Sequence, residues 1–582
     1  MTGPKPSLAA IWTLAVPYFR SDDRFAGRIL LLVIVVIELA VVGLSVLINQ
    51  WNNAFYNALQ DRDWNAFVYQ LAYFCLLAGT FIVIKVYQLY LNQWLQMRWR
   101  RWMTQSYLQN WLDGANHYRM QLQGDAADNP DQRIAEDIQL FVVRTLRIGL
   151  GFLNSVVTIL SFVVILWGLS QAAPLHLFGQ TIDIPGYLVW AALIYSVLGT
   201  LFTHLIGRPL IRLIFTQQRF EADFRFNLVR TRENSEQVAL LHGEHAETGR
   251  LIDRFQRVVN NWFDIMTRQK KLTFFTAGFD QFSIVFPYIV VSPAYFAGQV
   301  QLGALMQTAS AFGSVQSAMS FFVTTYSELA EWGAVIQRLT GFNTSIEQAR
   351  MIANAQTGIK HLPGDNKGGI QLHDVSLRLP NGTPLVTDVQ TAFGAGRNTL
   401  LTGPSGSGKS TLFRAIAGVW PFGRGSIATP LDARVMILPQ RPYFPVASLA
   451  SAIAYPAEPG TFSHETLSRT LQLVGLPALA PRLSEEAHWN RMLSLGEQQR
   501  LAIARAILQK PDFLFLDEAT ASLDEASEAA LYGVLRTQLP GTTVVSIGHR
   551  STLTAFHDRN IALKRDGEQH HLIEAKVQPA AG

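Results

Sequence analysis

Up to Arg338 the chain alternates between long, nearly unbroken apolar runs and polar stretches rich in arginine; beyond it the pattern changes character. Six apolar runs are long enough, at about 20 residues, to cross a bilayer as helices. They lie near Ile29–Ile48, Phe67–Leu91, Ile148–Leu169, Tyr187–Ile206, Phe274–Val291 and Leu305–Thr325, the last two being less purely apolar. The polar connections are unequal. Those after the first, third and fifth runs are short, whereas those after the second and fourth run for tens of residues and carry helical periodicity, as over Phe220 to Leu241.

From Gly369 onward short apolar runs alternate with amphipathic ones, the signature of an α/β domain. Residues around Ile370–Leu379 predict an antiparallel strand pair, and Thr399–Thr402, Phe513–Leu516 and Thr543–Ile547 predict buried strands. The polar stretch ending in Pro363-Gly364-Asp365-Asn366 reads as a linker. The expected domains are therefore a transmembrane domain over 1–345, a linker over 346–368 and an α/β domain over 369–582.

Composition supports the membrane reading. Of 582 residues, 49% are apolar and only 16% charged, below the usual quarter of soluble proteins. A single cysteine, Cys75, rules out a disulfide framework or a cysteine-based metal site. The net charge of +5 comes from arginines that flank apolar runs, which points to membrane lipid and away from nucleic acid. No cleavable signal pattern opens the chain.

Orientation follows from the same arginines. Arg20, Arg24 and Arg28 precede the first run, Arg98 to Arg147 fill the second connection, and Arg208 to Arg232 the fourth, while the segments 170–185 and 292–303 hold no Lys or Arg. Both termini are expected in the cytoplasm, with aromatic belts at Trp51 and Trp64 on one side and Trp94, Trp99 and Trp102 on the other.

Glu38, Lys85 and Asp280 are ionisable groups inside expected spans, a costly placement. Glu38 and Asp280 are read either as cavity-lining or ion-coupling carboxylates or as satisfied interhelical hydrogen-bonding groups; Lys85, near a span end, can snorkel. Pro287 and Pro293 bend or end the fifth span.

Chemistry concentrates at Gly403-Pro404-Ser405-Gly406-Ser407-Gly408-Lys409-Ser410-Thr411, a G-x-x-x-x-G-K-S pattern between a strand and a helix. This is a P-loop: glycines let backbone N–H groups converge on phosphate oxygens at a helix N-terminus. Lys409 reaches the β- and γ-phosphates and Ser410 ligates Mg²⁺. Phe513 to Glu518 is an apolar strand ending in two carboxylates, Asp517 to hold Mg²⁺ and Glu518 to act as general base on water.

Leu493-Ser494-Leu495-Gly496-Glu497-Gln498-Gln499-Arg500 resembles the signature segment of ATP-binding cassette (ABC) proteins. Gln440 matches their Q-loop, Ser522-Leu523-Asp524 their D-loop, and His549 their switch histidine, all in the family's order. The resemblance implies ATP as fuel, sandwiched between two cassettes. Ser494 and Gly496 then contact the γ-phosphate of the opposite cassette, with Glu497 beside them. His549 holds the γ-phosphate and water in cis, and Gln440 links Mg²⁺ to the membrane domain. One cassette with six spans makes a half-transporter, expected to form a homodimer. Departures are LSLGE for LSGGQ, Leu379 where a stacking aromatic holds adenine, and His488-Trp489-Asn490 in place of a T-E-V-G-E-like segment.

These departures, together with Asn129 to Ile134, Glu221 to Glu236 and Ala311 to Ser317, resemble the BacA/SbmA-related bacterial transporters with a fused cassette, kin of the peroxisomal subfamily D. That likeness implies a six-helix exporter-type membrane domain in a bacterial inner membrane and a transported solute that is peptide-like or otherwise hydrophilic. Acyl-CoA export and an ATP-gated channel stand as alternatives.

Overall fold

The computed structural model describes residues 8–122, 129–172, 175–177, 180–182, 184–353, 358–365, 368–566 and 569–575. The chain divides into two units, Met1–Leu108 with Asn129–Phe342, and Gln109–Asp128 with Asn343–Gly582.

The long helices are α1 (Arg24–Gln60), α2 (Trp64–Leu112), α4 (Ile138–Ala172), α5 (Tyr187–Glu233), α6 (Glu244–Phe296) and α7 (Leu302–Ala353), with a short α3 (Asn116–Leu122) after α2. On α1 the residues Leu30, Ile34, Glu38, Val41 and Val42 are buried at helical spacing, while Leu32, Val36 and Leu39 lie exposed on the opposite face. A helix apolar all round, with aliphatic residues facing outward, is suited to lipid. Five helices are long and apolar enough to cross a membrane among the described residues. The sixth expected span falls on α7, which is longer than any bilayer needs at 52 residues and whose apolar run is interrupted by Gln307, Gln316 and several serines. Its polar residues have partners. Asn49 Nδ2 donates to Gln307 O at 3.0 Å and Asn53 Nδ2 to Gln307 Oε1 at 2.6 Å. At the start of α7, Leu302 N donates to Gln60 Oε1 at 2.6 Å and Gly303 N to Asn57 Oδ1 at 2.8 Å, so side chains of α1 satisfy N–H groups that a helix N-terminus leaves open. A Cβ on Gly303 would stand 2.1 Å from Asn53 O, which is why this position is glycine.

The periodic stretch expected over Phe220 to Leu241 is helix: α5 continues to Glu233 and a short helix follows at Ser235–Leu240. Asn261 on α6 donates to Leu213 O at 3.0 Å and Gln217 Oε1 at 2.8 Å, pinning the two helices far beyond their apolar runs. Before α4 comes one π-helical turn, Arg133–Asp137. Its Asp137, 1% exposed, accepts from Arg133 at 2.6 Å and from both Nε (2.9 Å) and Nη2 (2.6 Å) of Arg338 on α7.

The second unit is built on a 10-stranded sheet. Its strands are β1 (Lys360–Gly364), β2 (Ile370–Arg378), β3 (Pro384–Phe393), β4 (Thr399–Thr402), β5 (Gly423–Pro430), β6 (Val435–Leu438), β7 (Phe513–Asp517), β8 (Thr543–Ile547), β9 (Arg559–Asp566) and β10 (Gln569–Ala575). Their spatial order is β1-β5-β2-β3-β10-β9-β4-β8-β7-β6. The parallel core β4, β8, β7, β6 is apolar on both faces because helices cover both sides. Three of its helices matter below: α8 (Lys409–Ile416), α9 (Leu495–Gln509) and α10 (Glu525–Gln538).

The expected linker over 346–368 is corrected in part. Helix α7 runs on to Ala353, held by buried Ile346 and Ala349, and Lys360–Gly364 is a strand pairing with β5 from Lys360↔Ser426 to Gly364↔Pro430. Pro363 is tolerated because β1 is an edge strand. Residues 354–357 and 366–367 lie outside the described residues. The cassette unit also includes α3, whose Arg119 Nη2 donates to Gly418 O at 3.1 Å and whose Leu122 packs on the apolar core beneath β2 and β3.

Candidate functional site

The central strand β4 runs straight into the turn 403–408 and then α8. Gly403 (φ +146) and Gly408 (φ +92) take backbone conformations that L side chains avoid, and a Cβ at either would strike Leu563 O at 2.9 Å or Val386 Cγ2 at 2.6 Å. Pro404, Ser405 and Gly406 form the exposed crest, while Ser407, Gly408, Lys409 and Thr411 are buried. Lys409 Nζ donates to Gly403 O and Pro404 O at 2.9 Å each, folding its ammonium over the crest where a phosphate chain would lie. Burial lowers its pKa, offset in part by Glu518 and Asp517.

Strand β7 delivers the two carboxylates. Asp517 accepts from Ser410 Oγ at 2.7 Å, so two hard oxygen ligands converge at the start of α8. Burial raises the Asp517 pKa, with the Ser410 hydrogen bond opposing. A half-buried carboxylate beside a hydroxyl is an all-oxygen donor set of the kind Mg²⁺ takes, and the residues fit that ion. Glu518 has left-handed backbone (φ +52), a strained conformation for a residue with a side chain, and its N donates to Ile547 O at 3.2 Å. The turn re-aims its carboxylate toward His549, Nε2 to Oε1 being 3.2 Å. A carboxylate within hydrogen-bond reach of an imidazole can act as a base toward water.

Of the other expected site residues, Ser494 caps α9 in a closed capping box. Its Oγ donates to Glu497 Oε2 at 2.8 Å, Ser494 N donates to the same oxygen at 2.9 Å, and Glu497 N donates back to Ser494 Oγ at 3.3 Å. The glutamate at this departure from LSGGQ is thus a structural cap. Gly496 lies 3.2 Å (as a Cβ) from Leu523 of the D-loop. Among the described residues no hydrogen bond joins Ser494, Gly496 or Glu497 to the P-loop of the same chain. Asp524 caps α10 through Ser527 N at 2.8 Å, and that amide holds the Asp524 carboxyl below its usual range. Leu379 is half-buried against the β2–β3 core, leaving only apolar surface for a base.

The segment His488-Trp489-Asn490 also has a structural reason. Trp489 is fully buried with Nε1 donating to Ala447 O at 3.0 Å, and Asn490 ties Pro442 O (2.8 Å) and Phe444 N (3.1 Å) to the base of the signature. Gln498 and Gln499 were missed in the pattern reading; their signal was two adjacent amides on the apolar face of α9.

In the membrane unit, Glu38, Lys85, Asn154, Ser155, Ser314 and Gln316 line a cavity of about 700 Å³ among α1, α2, α4 and α7. Glu38, 8% exposed, accepts from Gln88 and from Asn154 Nδ2 at 3.0 Å. Glu38 is thus hydrogen-bonded between helices and also borders the cavity. Asp280 is not among the lining residues but meets Gln316 Nε2 at 3.4 Å, at the edge of hydrogen-bond distance.

Two family models match, ABC transporter transmembrane region 2 over residues 14–296 and ABC transporter over residues 386–521. The Escherichia coli inner membrane ABC transporter ATP-binding protein YddA is 34% identical across 93% of this chain and 95% of its own. The chain belongs to the ABC transporter family. It is a fused half-transporter related to subfamily D: the Arabidopsis thaliana ABC transporter D family member 2, chloroplastic, is 34% identical over 94% of this chain and 85% of its own. The human lysosomal cobalamin transporter ABCD4 is 26% identical over 90% and 89%. In fold, this ABC transporter matches the structure of a bacterial Atm1-family ABC exporter with ATP bound, at a TM-score of 0.68 and 17% identity, covering 92% and 93% of the two chains.

Proposed function

We propose that two copies of this ABC transporter form a homodimer in a bacterial inner membrane, termini in the cytoplasm, and use ATP to take up bulky hydrophilic solutes, peptides among them, as the BacA/SbmA-like resemblance implies. One observation carries the cargo reading: the cavity is lined by a carboxylate, an ammonium, amides and a run of hydroxyls, and by few large apolar groups. A hydrophilic solute exchanges its water for these donors and acceptors at little cost, whereas an acyl chain gains nothing from them. The cobalamin relative is consistent with such a cargo.

The cassette supplies the drive. Arriving phosphates draw Lys409 away from the carbonyls of Gly403 and Pro404, and the N–H groups of the loop and of α8 converge on them. Ser410, Asp517 and Gln440 would hold Mg²⁺, which neutralises phosphate charge when bound. Glu518 takes the proton of the attacking water while His549, 3.2 Å away, fixes its carboxylate and meets the γ-phosphate. Ser494 and Gly496 of a second copy complete the site. To turn a 1:99 population of closed dimers into 99:1, ATP must favour closure by roughly 5.5 kcal/mol.

The test is transport into or out of proteoliposomes carrying the full chain, with ATP on one known side and a labelled peptide, cobalamin and an acyl-CoA as cargo. Wild type should move the hydrophilic solutes; Glu38→Gln should impair that transport while basal ATPase persists, because a carboxamide presents an N–H to one of the two amide donors that now face Glu38. Glu518→Gln should bind ATP without hydrolysing it. Movement of acyl-CoA alone would overturn the cargo reading, and turnover by Glu518→Gln would overturn the base assignment.

A further inference from the structure

Gln499 sits on the second turn of α9, uncharged and 0% exposed. Its carboxamide nevertheless touches three segments of the nucleotide site. Nε2 donates to the backbone carbonyl of Gln440 at 3.1 Å and lies 3.5 Å from the carbonyl of Glu518, while Oε1 accepts from the backbone N of Ser522 at 3.0 Å. The orientation of the amide is dictated by its surroundings, since only nitrogen can face two carbonyls and only oxygen can face an N–H.

We propose that Gln499 is a positioning residue for ATP hydrolysis, one amide that locks the backbone of the catalytic carboxylate to the Q-loop and the D-loop. The proposal rests on the roles given above to Gln440 and Glu518. Its physical basis is that Glu518 holds left-handed backbone, φ +52, a conformation that persists only where the surroundings over-determine it. The Glu518 N–H is committed to Ile547 O, and its carbonyl accepts from Ala521 N at 3.1 Å with Gln499 Nε2 as a second, longer donor at 3.5 Å. Because the second hydrogen of that NH₂ group holds Gln440 O, a shift of the Q-loop is felt at the base through a single rigid planar group. Ser522 N, on the third arm, begins the segment that leads to Asp524, the cap of α10.

No other residue type reproduces this. Glutamate would turn an acceptor oxygen toward both carbonyls; leucine or methionine would take the side-chain partner from Gln440 O and Ser522 N, and would leave Glu518 O with the Ala521 N–H alone. Asparagine keeps the groups but is one methylene short.

The experiment uses the full chain in proteoliposomes. Gln499→Met and Gln499→Glu are compared with wild type and Glu518→Gln for ATP binding, KM for ATP, kcat and thermal unfolding. The expected result is a fall in kcat on the order of tenfold or more at nearly unchanged KM and ATP occupancy, the mark of an interaction expressed in the transition state. Gln499→Glu should recover part of its kcat as the pH is lowered toward 5, since a protonated acid can again donate one hydrogen bond; Gln499→Met should not recover. A kcat loss that merely tracks the fraction of folded, ATP-binding protein, with no pH rescue, overturns the proposal. So does wild-type kcat in both variants. If Glu518→Gln itself turns over normally, the failure lies in the base assignment and not in Gln499.

Discussion

Replacing Asp137 by asparagine should loosen the turn that opens α4 from the stretch of α7 around Arg338, by an amount the geometry allows to be worked out. The carboxylate is 2% exposed on its side chain and receives one hydrogen bond from Arg133 and a two-pronged pair from Arg338. Asparagine keeps the shape but loses the charge and turns an N–H toward one guanidinium. Removing one member of a buried ion pair generally costs about 3–5 kcal/mol. Arg338, with 35% of its side chain exposed, can turn part of its charge to water, whereas Arg133 at 5% cannot. The expected cost is therefore at the lower end, about 3 kcal/mol, which multiplies local opening by roughly a hundredfold at 1.36 kcal/mol per factor of ten. Amide hydrogen exchange of the detergent-solubilised chain reads this directly at the segments around residues 133–142 and 335–342. The exposed pair Arg250–Glu247, at 2.9 Å with the arginine side chain 74% exposed, serves as control: Glu247→Ala should change protection by less than about 1 kcal/mol. If Asp137→Asn behaves like that control, the buried carboxylate is not what joins these helices.

Stability of the cassette should fall with acid for a reason lodged at His557. The ring is buried and neutral: Nδ1 donates to Leu553 O at 2.7 Å, while Nε2 faces Ser546 Oγ at 2.8 Å, whose oxygen already accepts from Tyr532 at 2.9 Å. Burial pushes its pKa below the usual value, so the folded form resists protonation; stability is full above about 6.5 and declines as pH falls through the folded value. Denaturation midpoints at pH 8 and 5.5 should differ less in His557→Gln than in wild type, and equal slopes would refute this. At the signature, Glu497→Ala should cost about 1 kcal/mol of cassette stability through loss of the cap, while Glu497→Gln keeps the cap and removes a negative charge from beside Ser494. In a Glu518→Gln background, ATP retention should then be tighter for Glu497→Gln than for the parent. Weaker retention would contradict placing Ser494 against a γ-phosphate.

Much of the cassette was legible because its chemistry is local. Strands β4 and β8 match their expected limits to the residue, since a parallel strand covered on both faces is an unbroken apolar run stopped by the loop that carries function. The P-loop residues follow one another along the chain, and so do Asp517 and Glu518, so each set is a local pattern at the end of its strand. The linker was misjudged because Pro363-Gly364 is turn chemistry in most contexts, and only pairing with residues far along the chain reveals an edge strand. The sixth span faded on α7 because Gln307, Gln316 and the serines between them serve α1 and the cavity, which dilutes the apolar run.

What the pattern hid most completely was the work of side-chain amides. Asn49 and Asn53 bind α1 to α7, Asn261 and Gln217 bind α5 to α6, Gln88 and Asn154 cradle Glu38, and Asn490, Gln498 and Gln499 tie the signature helix to the loops around ATP. A hydropathy reading counts each as polar and assigns it to a surface, yet most are buried or half-buried. Charges would be costly at such places and would titrate; a hydroxyl has a single O–H to donate, where an amide has two N–H groups and an accepting oxygen. A neutral group that both donates and accepts can also exchange one carbonyl for another without leaving a buried charge behind. In a protein that must switch between two packed arrangements, that makes amides the cheapest fasteners to undo and remake, and Gln499 is where this property meets the chemistry.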